Sequence, residues 1–354
     1  MVFEVINKMG SVKDIQEIKK ASPESPGEGI FHFSDRYSAF DWGEMPDHIQ
    51  NKGAALCMMS AFNFELLEKN GVKTHYLGVV DNKGNTVTAA ELAKKGEYSS
   101  KMAVSLVEVL SPENDYSVFS KKNNNFLIPL EIVFRNGLPQ GSSVFKKIAL
   151  AKAKGNLAEV LKALGLSNEP IPGQMLPKPV YDFWTKLETT DRLLSLDEAK
   201  RISGLGGRFN ELFVIAEKVN SIVTTRAEKQ GMMHYDGKIE CVYSNDEILV
   251  ADTVGTLDED RFAFNGIQIS KQLLRNAYLK TPWHKDLEKA KTKVGKLTEN
   301  LHEVCQSKPE KLPAEFVTLI SEVYQSACNQ YTGQKTFKVA ELKELTAQLK
   351  QSQA

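Results

Sequence analysis

The sequence predicts an α+β fold that ends in a helical extension, and three observations carry the prediction. Period-two alternation at residues 3–7 and 30–34, an apolar run at 126–136 and a hairpin pattern at 232–253 indicate strands. Helical spacing governs residues 53–69 and again Leu212, Ile215, Val219, Ile222 and Arg226. Near the C-terminus Leu287, Ala290, Val294, Leu297, Leu301 and Val304 follow the 3-4-3-4 spacing of a heptad seam.

Taken in order, FEVIN (3–7) and IFHFS (30–34) are half-buried strands, with a Pro/Gly/Ser/Glu-rich loop from Ser22 to Gly29 before the second. The helix from Gly53 stops at Asn70-Gly71, because glycine tolerates the left-handed C-terminal conformation. Strand-like pieces at 74–80 and 101–110 flank a turn at Asp81–Asn85. Residues 111–125 form a polar loop and one boundary between lobes, before the β-branched strand 126–136. Residues 156–164 read as a short helix, and the Pro- and Gly-rich stretch 166–180 as irregular. The helix through Arg226 closes at Gln230-Gly231, and strands 232–243 and 247–253 pair around Asn245-Asp246. Beyond Pro309–Pro313 a helical face runs through Phe316, Ile320, Val323 and Ala327, and a last one through Val339, Leu342, Leu345 and Leu349. This extension is expected to pack on its own lobe; the alternative is the subunit interface of a homodimer.

Lys+Arg and Asp+Glu are both 45, so no net field draws the chain to nucleic acid or to a membrane. No apolar run approaches the roughly 18 residues of a membrane span, and the N-terminus lacks a signal-peptide layout. Cys57, Cys241, Cys305 and Cys328 are scattered with no CxxC pair, which fits reduced thiols in the cytoplasm. The histidines show no HxxxH or HxH spacing for zinc.

The most informative chemistry lies in Asp236-Gly-Lys238-Ile-Glu240, where strand parity puts acid, base and acid on one face. Asp252 follows twelve residues after Glu240. The two acids face each other if the hairpin loop holds an odd number of residues or a bulge; a two-residue Asn-Asp turn puts them on opposite faces. Converging carboxylates make a hard-oxygen site suited to magnesium with nucleotide phosphates, and the plain alternative is a solvated hairpin with cross-strand ion pairs. Arg261 is either a surface ion pair or a bidentate phosphate clamp. Arg135, closing an apolar strand, and the Gly141-Ser142-Ser143 turn offer an anion cradle, although glycine turns are common in loops. Ser34 to Asp41, SDRYSAFD, is a dense polar loop after a strand. Gly204-Leu-Gly206-Gly207 has no GKS/T ending and reads as a loop before a helix.

These segments, in this order, resemble the SAICAR synthetase family from about Gly10 to about Leu279. The family's opening signature stands as Gly10-Ser11-Val12-Lys13-Asp14-Ile15, and its SDRxSAFD element as Ser34 to Asp41. Lys52-Gly53 precedes the first helix, with Ser60 and Phe62 following. Pro129 to Arg135, Gly141-Ser142, the DxKxE element Asp236 to Glu240, Asp252, and Asp258 to Arg261-Phe262 complete the series. Ser11 replaces a usual lysine, and Met102 to Leu110 lacks another; in the family both belong to nucleotide binding.

The resemblance implies a two-lobed fold with an ATP-grasp-related larger lobe. The expected division is 1–120 as the nucleotide-covering lobe, 121–284 as the larger lobe and 285–354 as the extension. It implies ATP and Mg2+ as cofactors, with Gly10, Ser11, Lys13, Glu240 and Asp252 on the nucleotide side and Glu240 and Asp252 as the metal ligands. Lys238 is expected beside the reacting carboxylate, with Asp236 as its catalytic companion. Arg135, Ser142 and Arg261 are expected on the ribonucleotide phosphate and Asp191 on the ribose; Ser34, Asp35, Arg36 and Ser38 are expected to shape the site for the substrate or aspartate, and Asp258 to be substrate-binding. The implied reaction joins L-aspartate to carboxyaminoimidazole ribonucleotide in purine biosynthesis. The alternative is a catalytically altered member that binds nucleotide in a regulatory role. A small-molecule kinase finds no HRD or DFG-like motif.

Overall fold

The computed structural model describes residues 7–10, 12–113, 115–119, 124–188, 190–294 and 301–352. Ser11, Thr189, Leu297 and the Phe3–Ile6 part of the first predicted strand lie outside the described residues.

The chain begins with strands β1 (Asn7–Met9), β2 (Lys13–Lys19) and β3 (Gly27–Phe33), then helix α1 (Lys52–Lys69). Strands β4 (Tyr76–Val80) and β5 (Thr86–Val87), helix α2 (Ala89–Lys94) and strand β6 (Lys101–Leu106) follow. These six strands form one antiparallel sheet in the order β1-β2-β3-β6-β4-β5. Lys13–Lys19 is a strand that the alternation did not mark, because its apolar positions, Ile15 and Ile18, are out of step with a period of two.

Helix α1 is buried nearly all round, including Lys52, Ser60 and Asn63. A helix enclosed on every side shows no amphipathic stripe, so the helical pattern over 53–69 is weak and the Asn70-Gly71 stop is its clearer mark in the sequence. Its start has no side-chain cap of its own; Asp35 accepts the N–H groups of Asn51 at 3.1 Å and Gly53 at 3.0 Å. Gly53 is required by close approach, since a Cβ there would lie 2.4 Å from the Phe33 carbonyl oxygen.

A second six-stranded sheet follows β7 (Asn125–Leu138), α3 (Ser143–Lys154), α4 (Leu157–Ala163) and β8 (Gln174–Thr185). After α5 (Leu196–Ile202) and α6 (Asn210–Lys229) it gains β9 (Met232–Ser244), β10 (Glu247–Ala251), β11 (Arg261–Phe264) and β12 (Ile267–Ile269). The order is β12-β11-β9-β7-β8, with β10 also pairing β9. The stretch expected to be irregular is therefore a strand from Gln174 onward. Its prolines, Pro177 and Pro179, sit on the sheet's edge strand, where a missing N–H is tolerated.

Helix α7 (Gln272–Tyr278) leads into α8 (Pro282–Val294), α9 (Leu301–Val304), α10 (Ala314–Thr332) and α11 (Leu342–Ser352). The extension packs on its own chain. Ile320, Val323, Tyr324, Ala327 and Tyr331 of α10 are buried, with Tyr331 edge-on to Phe62 of α1 and against Phe262 of β11.

Candidate active site

The site is built on one face of the second sheet. Arg135 of β7, Asp236 of β9 and Arg261 of β11 are direct cross-strand partners, so one lateral row carries all three. Arg261 grips Asp236 with two hydrogen bonds, Nε to Oδ1 at 2.7 Å and Nη2 to Oδ2. Arg135 Nη1 lies 3.6 Å from Asp236 Oδ2 and its Nε donates to Asp182 at 3.1 Å. Asp236 is 4% exposed, and both its oxygens are engaged. That makes it the anchor of two arginines.

One step along the same face, Lys238 is opposite Val133, and Glu240 is opposite Glu131. Lys238 Nζ donates to Glu131 at 2.6 Å and lies 3.0 Å from Glu259. Burial opposes its charge, but Glu259 and Glu131 outweigh burial and hold the ammonium well above its ordinary pKa. Burial likewise opposes the Glu259 carboxylate, and Lys238 and Lys271 bring it down to about 2.

The hairpin turn is the two-residue form: Asn245 (φ 52°) and Asp246 (φ 61°) make a left-handed turn that sets Ala251, not Asp252, opposite Glu240. Strand parity alone would then turn Asp252 away. Asp252 escapes parity because it lies just past the strand end with φ 64°, a left-handed kink that Asp adopts more readily than most residues. The two acids meet electrostatically. Burial and Asp252 push Glu240 upward, while Lys13, Lys186 and Lys238 overcome burial to hold Asp252 well below the carboxylate range. Lys13 is ion-paired to Asp252, and Lys186 Nζ lies 2.5 Å from Glu240 Oε1. Two lysines thus neutralise the two carboxylates that the sequence offered as a cation site.

Other expected residues hold the walls. Arg36 reaches the Gly10 carbonyl at 3.1 Å and Asp14 at 2.5 Å, and Ser34 Oγ donates to the Val12 carbonyl at 2.7 Å. Both tie down the turn between β1 and β2. Asp35 is taken by the start of α1, as above, and Ser38 is half-buried in a bridge to Glu44. Asp258 accepts from Lys52 Nζ at 2.6 Å and from Tyr324 at 2.8 Å. Asp191 lies within the field of Glu131, Lys186 and Lys238; burial first and then Glu131 raise its pKa. Ser142 caps α3, accepting from the Val144 N–H at 3.4 Å, after a Gly141 at φ 81°. A cleft lined by Arg135, Ser143, Lys146, Lys147 and Asp182 opens beside this helix start, a setting that favours an anion.

Glu131, Asp182, Lys186, Glu259, Lys271 and Arg275 join the site without a motif of their own in the sequence. Glu131 shares the parity of Arg135 on β7 and could have been found that way. Asp182 and Lys186 stay hidden in the sequence because the prolines of β8 argue against a strand. Lys271 is half-buried, and burial lowers its pKa, with Glu259 and Asp258 opposing. Arg275 also has a lowered pKa from burial, between Asp41, Arg261 and Asp258, and its buried Nε finds no acceptor among the described residues.

The family model described as SAICAR synthetase matches residues 7–290. The chain belongs to the SAICAR synthetase family. A relative from Archaeoglobus fulgidus, described provisionally as phosphoribosylaminoimidazole-succinocarboxamide synthase, is 42% identical over 346 residues, covering 97% of this chain and 99% of its own. Among solved structures, the SAICAR synthase of Saccharomyces cerevisiae complexed with SAICAR aligns with TM-score 0.59 at 23% identity, covering 93% of this chain and 95% of its own. A SAICAR synthetase in complex with ADP aligns with TM-score 0.54 at 21% identity, over 86% of this chain and 100% of its own. These two likenesses establish the fold. As a SAICAR synthetase, the chain is an ATP-dependent carbon–nitrogen ligase of purine biosynthesis.

Proposed function

We propose that this SAICAR synthetase joins L-aspartate to carboxyaminoimidazole ribonucleotide through a phosphorylated carboxylate, with the residues of the β7–β9–β11 face in the roles that follow. The supporting observation is the single face that sets Lys238 between an arginine–carboxylate row and two lysine-neutralised acids. The ribonucleotide phosphate binds at Arg135, Arg261 and the start of α3 at Ser142, with Asp236 holding both arginines in place. That register carries the imidazole carboxylate to Lys238. The carboxylate oxygen attacks the γ-phosphorus of ATP, the bond to the β,γ-bridging oxygen breaks, and ADP departs. The amine of aspartate then attacks the acyl carbon, the C–O bond breaks, phosphate leaves and the nitrogen loses a proton. Lys238 neutralises the carboxylate and then the acyl phosphate, and fixed charges that need no rearrangement account for most of the rate.

Magnesium fits the donor set. Glu240 and Asp252 are two hard carboxylates close enough to perturb each other, and Lys13 and Lys186 occupy the positive role a cation would take. When bound there it would supply charge neutralisation for the nucleotide phosphates. Lys13, with its ammonium 4.1 Å from the Phe31 ring centre, lies on the nucleotide side. Gly10 belongs to the same turn. Lys271 and Arg275, cations without a hydrogen-bonded carboxylate among the described residues, suit the two carboxylates of aspartate. No described helix is long and apolar enough to cross a membrane, and a cytoplasmic place suits a pathway of small anionic substrates.

The test is Lys238→Met. ATP and ribonucleotide should still bind by calorimetry while amide formation falls by about a hundred- to a thousandfold, the scale of losing one preorganised electrostatic group. Turnover within about tenfold of the parent would remove Lys238 from the reaction.

A further inference from the structure

Ten residues, Asp252 to Arg261, link the proposed metal carboxylate to the proposed phosphate arginine. How they are held comes from an unexpected quarter. Two tyrosines of α10, Tyr324 and Tyr331, stand seven residues apart on one helical face and are both buried. Tyr331 donates to Asn63 Oδ1 at 2.7 Å, and Asn63 Nδ2 donates to the carbonyls of Val254 at 3.2 Å and Gly255 at 3.1 Å. Gly255 sits at φ 64°, and a Cβ there would come within 2.4 Å of that amide nitrogen, so the approach is fixed on both sides. Tyr324 donates to Asp258 Oδ1 at 2.8 Å while Lys52, fully buried, holds Oδ2 at 2.6 Å.

We infer that α10 is a positioning helix whose two tyrosines set separate halves of this loop: Tyr331, through Asn63, the metal side, and Tyr324, through Asp258, the ribonucleotide side. The inference rests on the ligase reading above and deepens it. Each hydroxyl acts on the loop itself: Tyr331 through Asn63 on the carbonyls of Val254 and Gly255, and Tyr324 directly on Asp258. Burial and then Asp258 hold the Tyr324 phenol far above its ordinary pKa, so it remains a donor at any working pH. A helix that only filled core volume would need the rings but not these oxygens.

Tyr324→Phe and Tyr331→Phe delete one oxygen each and keep the packing. In steady-state assays Tyr324→Phe should raise the ribonucleotide KM about tenfold, with kcat and the half-saturating magnesium concentration within about twofold; tenfold corresponds to about 1.4 kcal/mol. Tyr331→Phe should do the reverse, raising the magnesium requirement and sparing the ribonucleotide KM. In an Asp258→Asn background, adding Tyr324→Phe should change ribonucleotide affinity no further. Both tyrosine variants shifting the same parameters alike, neither shifting any, or either failing to fold would overturn the inference. Calorimetric binding of the ribonucleotide and of magnesium, each without ATP, reads the same split without turnover. A parent protein that binds neither would instead refute the underlying ligase reading.

Discussion

Asp236→Asn offers the sharpest energetic test of the arginine row. The substitution keeps the shape of the side chain and removes the charge that sits between Arg135 and Arg261. Asp236 and Arg135 have side chains only 5% and 6% exposed, so neither is rescued by water. Asp182, 3.1 Å from Arg135 Nε, would be the remaining carboxylate partner of that arginine. Breaking a buried pair while leaving its partner charged costs about 3–5 kcal/mol. Unfolding entropy near 2.1 cal/mol/K per residue gives about 0.7 kcal/mol/K for a chain of 354 residues. The melting temperature should therefore fall by about 4–7 °C. With ribonucleotide phosphate on the same two guanidinium groups, as proposed, saturating ribonucleotide should raise the melting temperature of the variant more than that of the parent. Differential scanning calorimetry with and without ribonucleotide reads both effects. An unchanged melting temperature, or equal ligand shifts in the two proteins, would refute the idea that Asp236 balances the phosphate arginines.

Glu240→Gln and Asp252→Asn should each lower turnover by about a hundredfold or more, since a lost metal ligand removes several kcal/mol of charge stabilisation, while circular dichroism remains that of the parent. Near-normal activity in both would dismiss the magnesium assignment. His75 gives a pH signature. The residue is 4% exposed, and burial lowers its pKa from 6.5 to about 4. The unfolded chain therefore takes up a proton between those values that the folded chain refuses. The contribution to stability is complete above pH 6.5 and is lost as pH falls toward 4, a loss of about 3 kcal/mol. His75→Phe, which suits the neighbouring rings of Phe31 and Phe64, should flatten the acid limb of denaturant-measured stability; an unaltered slope would show that another group governs it.

Much of the site was legible because strand parity is a strict rule. Positions 236, 238 and 240 had to share a face, and the structure adds Arg135 and Glu131 to it through register. What parity could not supply was the kink at Asp252. The hairpin takes the two-residue turn that sends Asp252 to the wrong face, and a positive φ at one residue reverses the outcome. Prolines hid β8, and with it Asp182 and Lys186, because an edge strand tolerates residues that usually argue against strands. The heptad-like seam after residue 285 signalled helix correctly at Leu287, Ala290 and Leu301, which are buried, but spacing alone did not reveal that α10 would reach the loop beneath the site. That contact depends on two tyrosine oxygens, which hydrophobic periodicity does not register.

On the proposed mechanism, one sheet face brings ATP, ribonucleotide and aspartate to Lys238. The most direct measurement is ADP and amide formation with ATP, magnesium, L-aspartate and carboxyaminoimidazole ribonucleotide, each omitted in turn. ADP and amide should form in equal amounts, and only when all four are present. Binding of ATP and ribonucleotide without any amide formed would contradict that mechanism.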